Sequence, residues 1–241
     1  MRSAVSLISI NEIGNDPLVR RFCRGVAALK PPRPRYDFIW DPAPVIAKLA
    51  SIYAYEEVPL KRITTKLVLL LALGTGQRAQ TLAAIRLSQI SLGKKILIRC
   101  PDRTKTSAPG RYQPFFSFSR FLEHENLCIG QLIEHYIERT TLRPPSCDSL
   151  FISLFKPYRA VTAQTLGRWI KQGLQEAGIN TETYSAHSTR HASTSQAAKK
   201  GVSSDLIKRA AGWTGESRTF ANFYNRPIIN PEEFSNAVLL T

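Results

Sequence analysis

At 241 residues and 27.0 kDa, the chain can bury one full hydrophobic core and carry a small appendage. Its 33 Lys and Arg against 18 Asp and Glu give a formal charge of +15, the electrostatic footprint of a nucleic-acid partner. Cys23, Cys100, Cys128 and Cys147 lack a Cys-x-x-Cys spacing or nearby histidine pairs, which argues against a metal site or a disulfide framework. The longest apolar run, residues 67–73, is too short for a bilayer and no signal-peptide pattern opens the chain, so an intracellular compartment is expected.

Residues 1–40 read as a basic segment and linker. Arg20, Arg21, Arg24, Lys30, Arg33 and Arg35 occur with no acid between Asp16 and Asp37, which fits either a solvated linker or a surface that contacts phosphate. Pro31-Pro32-Arg33-Pro34 is a stiff extended connector. Residues 41–241 read as a second domain. Asp41 is a plausible N-cap for a helix carrying Val45, Ile46, Leu49, Ile52 and Tyr53 at helical spacing. Ile63, Leu67, Leu70 and Leu71 mark a second helix, apolar nearly all round in its later half and therefore central to the core. A third opens at Arg78 and ends near Leu87.

From Lys95 to Phe118 the pattern becomes extended. Ile96-Leu-Ile98 and Tyr112 to Phe118 are separated by Pro101-Asp-Arg-Thr-Lys105-Thr-Ser-Ala-Pro-Gly110, a turn-rich segment, which predicts a hairpin or a small three-stranded sheet. Helical spacing returns at Leu132, Ile133, Tyr136 and Ile137, and again from Leu166 to Ala177 with Gly178 as a stop. Leu150 to Ser153 suits a short strand. Three final helices are expected near 187–199, 203–211 and 218–225, punctuated by Gly201 and Gly212. The fold class is thus mainly α with a small antiparallel β-sheet.

The most telling stretch lies near the C-terminal end: His187-Ser-Thr-Arg190-His191, then Gly212-Trp213, then Tyr224. Two imidazoles and a guanidinium fall within five residues, and a short helical segment brings a phenol back toward them. Cleaving a phosphodiester with a side-chain oxygen builds negative charge around a pentacoordinate phosphorus, and arginines answer that charge with paired N–H donors. Each residue also has a plainer reading. His187 and Arg190 suit a helix cap or an ion pair, Trp213 suits core packing, and Tyr224 suits an aromatic cluster with Phe220 and Phe223.

In order and spacing these residues resemble the tyrosine recombinases, whose signature is His-x-x-Arg-His, a Gly-His or Gly-Trp pair, and a nucleophilic tyrosine. The resemblance covers roughly residues 40 to 230. Its closest local match is to eukaryotic DIRS-type retrotransposon recombinases, through Ala-Gly-Trp-x-x-Glu-Ser-x-Thr-Phe-Ala-x-Phe-Tyr at 211–224 and Pro-Pro-x-Pro-Arg-Tyr at 31–36. It implies the tyrosine recombinase catalytic-domain fold and a set of catalytic residues, Arg78, Lys105, His187, Arg190, Trp213 and Tyr224, with His191 supporting them. Arg78 follows the apolar helix and the turn Gly74-Thr-Gly76. Lys105 on the hairpin would be the general acid for the leaving 5′ oxygen, and Arg103 and Arg111 beside it would join Arg20, Arg21, Arg24, Arg33 and Arg35 in contacting DNA.

The implied activity is DNA strand cleavage and rejoining through a 3′-phosphotyrosyl intermediate, needing no cofactor and no metal. The implied partners are double-stranded DNA, in the nucleus if the target is chromosomal, and further copies of the chain, as a tetramer on DNA. The tail after Asn230, with Phe234, Val238 and Leu239 at helical spacing, would dock on a neighbour or fold back. The family usually joins a DNA-clamping helical domain to the catalytic one, and residues 1–40 are expected to be a remnant of it in a truncated copy. Two departures stand out: Thr81 occupies a position that is usually acidic, and the eleven positions from Trp213 to Tyr224 exceed the commonest family spacing. They keep a second reading open, a catalytically inactive DNA-binding protein derived from such an element. A type IB topoisomerase is a third.

Overall fold

The computed structural model describes residues 13–31, 33–100, 113–141, 147–228 and 237–239. The chain divides into two units, Met1–Arg35 and Tyr36–Thr241. In the first, Asp16 starts helix α1 (Pro17–Leu29). Its carboxylate accepts the amides of Leu18 and Val19 at 2.8 and 3.0 Å, and Pro17 occupies the first turn, where an amide would lack a partner anyway. Leu18, Phe22, Val26 and Leu29 recur at helical spacing and are exposed. Arg20, Arg21 and Arg24 on the same helix are exposed too, as are Arg33 and Arg35 beyond it. The linker expected over residues 1–40 therefore contains a capped helix. Its last five residues, Tyr36 to Trp40, belong to the second unit, because Tyr36, Ile39 and Trp40 are buried there.

The second unit is built around one helix. Helix α2 (Pro42–Ala50) is capped by Asp41, which accepts the Ala43 amide at 2.9 Å, and it buries Val45 and Leu49. Helix α3 (Leu60–Thr75) follows. Ile63, Leu67, Val68, Leu69 and Leu71 on it are wholly shielded from solvent, as the apolar run predicts, because neighbours enclose it: α2, the short α4 (Ala79–Ala83), α5 (Ile129–Thr141), α6 (Ala163–Glu176) and α7 (Ser188–Lys199) all touch it. Helix α8 (Ser204–Ala211) packs against α7. The third predicted helix is shorter than expected, since α4 stops at Ala83 and a 3₁₀ turn occupies Leu87–Gln89.

A lysine charge sits inside this core. Lys66, on α3, is fully buried, and its ammonium donates to the carbonyls of Ile52 and Asn126 at 2.7 and 2.6 Å with the Tyr55 ring 4.7 Å away. Burial pushes its pKa down to about 8, and the two carbonyls offset part of the desolvation. The lysine thereby ties two loop segments to the central helix.

Strands β1 (Ile90–Ser91), β2 (Lys95–Arg99) and β3 (Phe115–Ser119) form an antiparallel sheet in that order, with Ile96 opposite Phe118 and Ile98 opposite Phe116. Ile96, Ile98 and Phe116 point into the core. This is the three-stranded form of the expected hairpin, and the residues between β2 and β3, with Arg103, Lys105 and Arg111, lie outside the described residues. Leu150 to Ser153 forms a single bridge, Ile152 to Ala160, in place of a strand. In the tail, residues 237–239 make one helical turn with Val238 and Leu239 exposed, while Phe234 lies outside the described residues.

The approach of α6 to α3 depends on Gly173. A Cβ there would stand 2.8 Å from Thr65 Cγ2 and closer still to Leu69 Cδ1, so both side chains would have to move within a filled core. Gly173→Val is expected to lower stability by about 1–3 kcal/mol through overpacking, read as a lower midpoint in thermal unfolding. Gly25→Ala, where nothing lies within 4 Å, serves as the contrasting helix substitution and should cost nothing.

Candidate active site

Helix α3 ends at Gly76, whose φ of 60° is open to glycine without a side-chain clash. A Cβ at Gly76 would also meet Thr194, Ser193 and Ala211 between 3.4 and 3.8 Å away, so the turn nestles against α7 and α8. Gln77, buried in that turn, donates from Nε2 to the Ala210 carbonyl at 2.6 Å. Arg78 then sits at the N-cap of α4, half-buried, with an extended backbone and no side-chain capping bond.

Opposite the turn, α7 begins after His187. His187 occupies the N-cap position without capping the helix through its side chain, and its Nε2 lies 2.8 Å from the Tyr224 hydroxyl. Arg190, three residues on, is fully buried. One of its nitrogens, Nη1, donates to the Gly76 carbonyl at 2.7 Å. Its Nε and Nη2 have no hydrogen-bond partner among the described residues, nor does any described carboxylate form an ion pair with it. Burial first, and then the charge of Arg78, push its pKa down to about 9, with Tyr224 acting in the opposite direction. The guanidinium is thus still charged at neutral pH, and it is held beside a second guanidinium without a counter-charge. Such an arrangement suits an anion.

Aromatic rings close the cluster. Trp213 follows Gly212, which ends α8 at a φ of 74°, and its ring lies 4.0 Å from Arg190 Cζ, within range of a cation–π contact. The indole Nε1 is buried and, among the described residues, has no acceptor. Tyr224 ends a π-helical turn, Phe220–Tyr224, where a longer helix over 218–225 was expected. Phe220 is the buried anchor of that turn, 5.9 Å from the Trp213 ring. The Tyr224 ring stacks on His191 at 4.0 Å and 16° and meets Trp213 edge-on at 4.7 Å. The structure therefore brings Arg78, His187, Arg190, His191, Trp213 and Tyr224 together from four separate parts of the chain. Thr81 is buried.

Residues not anticipated from the sequence complete the surroundings. Ser195 Oγ donates to the Tyr224 carbonyl at 2.8 Å and accepts the Arg226 amide at 3.0 Å. Trp40 Nε1 donates to Ser188 Oγ at 2.8 Å, and the Tyr36 ring packs edge-on to His191 at 5.0 Å. A signal for Ser195 was available, since His187, His191 and Ser195 recur every four residues and so share one face of α7. Tyr36 stood in the Pro-Pro-x-Pro-Arg-Tyr match without a role and nothing local pointed to Trp40, and the two reach the turn before α7 and α7 itself across about 150 residues of chain.

Comparison with known proteins bears on the fold and the family. Among solved structures, the fold is similar to that of the XerH site-specific recombinase bound to its difH substrate, with a TM-score of 0.61 and 18% identity over 85% of this chain and 53% of that one. It is also similar to the XerA recombinase, at 0.57 and 16% over 87% and 65%, and to the Tn1549 transposon integrase in complex with transposon right end DNA, at 0.53 and 17% over 88% and 68%. The chain thus spans about half the length of the XerH chain. No curated protein matches it. Residues 47–228 match the phage integrase family, and with most of its length inside that match and a helix-rich fold bearing a small antiparallel sheet, the chain belongs to the phage integrase family, the tyrosine recombinases.

Proposed function

We propose that this chain breaks and rejoins double-stranded DNA as the recombinase of a mobile element of the DIRS retrotransposon type. The observation that carries the reading is the 2.8 Å contact between His187 Nε2 and the Tyr224 hydroxyl, beside the buried guanidinium of Arg190. With Nε2 unprotonated, His187 accepts the phenol proton as the Tyr224 oxygen attacks phosphorus. The bond to the 5′ oxygen breaks, and the DNA 3′ end stays on Tyr224 as a phosphotyrosine. Arg78 and Arg190 clamp the non-bridging oxygens, and the Trp213 indole N–H supplies a further donor.

The leaving 5′ oxygen takes a proton from Lys105, the role its family resemblance implies. Because the phosphotyrosyl link keeps the phosphodiester energy, a 5′ hydroxyl from another strand reverses the attack and seals a new junction. Arg20, Arg21, Arg24, Arg33, Arg35, Arg103 and Arg111 serve as backbone contacts, which position DNA without reading its sequence. One observation favours a second reading, a protein that binds DNA but no longer cuts it. Thr81, buried three positions after Arg78, stands where an acidic support is usual.

A denaturing-gel assay separates the two. End-labelled nicked DNA from the termini of the source element should give a covalent adduct with the wild type and none with Tyr224→Phe, while both bind that DNA alike. Binding without any adduct in either protein defeats the cleavage reading.

The clamp makes a further prediction. At neutral pH the uncompensated charge of Arg190 is a cost to folding, and since its folded pKa is lowered, that cost persists until pH rises through about 9. An anion that supplies the missing counter-charge should relieve it. Inorganic phosphate at tenfold its Kd should stabilise the wild type by about 1.4 kcal/mol, a rise of roughly 3–6 °C in Tm at constant ionic strength. Arg190→Gln should lose most of that rise, and an equal rise in the variant would place the anion elsewhere.

A further inference from the structure

The residues that hold the tyrosine segment in place are as specific as those around its hydroxyl. Tyr224 ends the π-helical turn, and the Asn225 amide returns to the Phe220 carbonyl at 2.8 Å. That closure leaves the Tyr224 carbonyl and the Arg226 amide outside the helical ladder, where a helix end ordinarily needs other partners. Ser195 satisfies both. Its hydroxyl donates to the first at 2.8 Å and accepts from the second at 3.0 Å, so one buried side chain grips the backbone on both sides of Asn225.

The grip is referenced to the same helix that carries the chemistry. Ser195 lies two turns beyond His187 on one face of α7, with His191 between them, and His191 stacks on the Tyr224 ring. A second tether follows directly. The Ile39 amide donates to the Pro227 carbonyl at 3.0 Å, and Ile39 pairs with Ile228 in a parallel bridge. The residues flanking Ile39 reach α7 and the turn before it, Trp40 through Ser188 and Tyr36 through Ser185 and His191. Both tethers fix the tyrosine segment to the catalytic helix of its own chain.

We propose that Ser195 is a positioning residue that sets Tyr224 against His187, with the Tyr36–Trp40 segment as its second anchor. Ser195 touches neither phosphate nor proton in this scheme, since its hydroxyl is occupied by the two backbone groups and buried. Its effect is on orientation, where a displacement of about 1 Å can cost on the order of a hundredfold in rate. This inference rests on the strand-cleavage reading for its catalytic consequence, although the tether itself is a property of the fold.

The test uses Ser195→Ala, which removes both bonds, and Ser195→Thr, which keeps the hydroxyl. Amide hydrogen exchange of the wild-type and variant proteins reports the tether without any reaction. In Ser195→Ala, exchange at Arg226 and in the peptide over 220–228 should rise at least tenfold while α3 stays protected, and Ser195→Thr should restore protection. On saturating nicked DNA, the rate of adduct formation should fall at least tenfold in Ser195→Ala with unchanged DNA affinity, and recover in Ser195→Thr.

Unchanged exchange over 220–228 overturns the proposal, as does faster exchange with an unaltered adduct rate, or a rate loss matched by loosening of α3. A wild type that forms no adduct defeats the cleavage reading instead, and exchange alone then decides the tether. If Ser195→Ala fails to fold, Ser195→Cys, which keeps the volume and weakens both bonds, is read in the same way.

Discussion

A fully buried guanidinium, held by the Gly76 carbonyl and by the Trp213 and Tyr224 rings, is the constraint around which this domain is arranged. Arg190 is charged at neutral pH, has no solvent contact and no carboxylate among the described residues, and in isolation such burial would be prohibitive. What makes it tolerable is a shell of groups with orientation but little charge: the Gly76 carbonyl, the Trp213 face and the Tyr224 ring. Each comes from a different element, and each must arrive accurately.

Helix α3 makes that accuracy possible. Its apolar surface is covered on every side, so its C-terminal end is a rigid platform, and the left-handed Gly76 turns the chain so that a carbonyl faces Arg190 and Arg78 stands beside it. Gly173 lets α6 press close, and Lys66 binds the loops at the other end with two carbonyl contacts. Packing here serves chemistry indirectly. It holds still the turn from which two of the site's polar groups project, much as an enzyme's electrostatic preorganisation requires.

The tyrosine is held differently. Its turn is only five residues long, too short to be stable alone, and only Phe220 on it is buried. Its placement therefore depends on borrowed contacts: Ser195 for the backbone, His191 for the ring, and Ile39 for the residues that follow it. A closely packed arginine thus faces a tyrosine whose turn is held from outside itself.

Much of this was legible in the one-dimensional pattern. The apolar run of α3, the Gly-terminated turn before Arg78, the alternation in β2 and β3, and the spacing from His187 to Tyr224 are all local signals, because helix faces, turns and short strands are decided by residues a few positions apart. The capped helix over Pro17–Leu29 was also written locally, in Asp16-Pro17 and the spacing of Leu18, Phe22, Val26 and Leu29, but a basic composition masked it. By itself, then, the sequence determined the elements, the family signature and the identity of the residues that gather. Tertiary structure alone decided that Arg190 is buried with no carboxylate beside it among the described residues, that Trp213 lies across it, and that Tyr36 and Trp40 brace a helix about 150 residues away. Those facts depend on which surfaces meet when the core closes, and burial, dielectric and hydrogen-bond partners across such distances have no local trace.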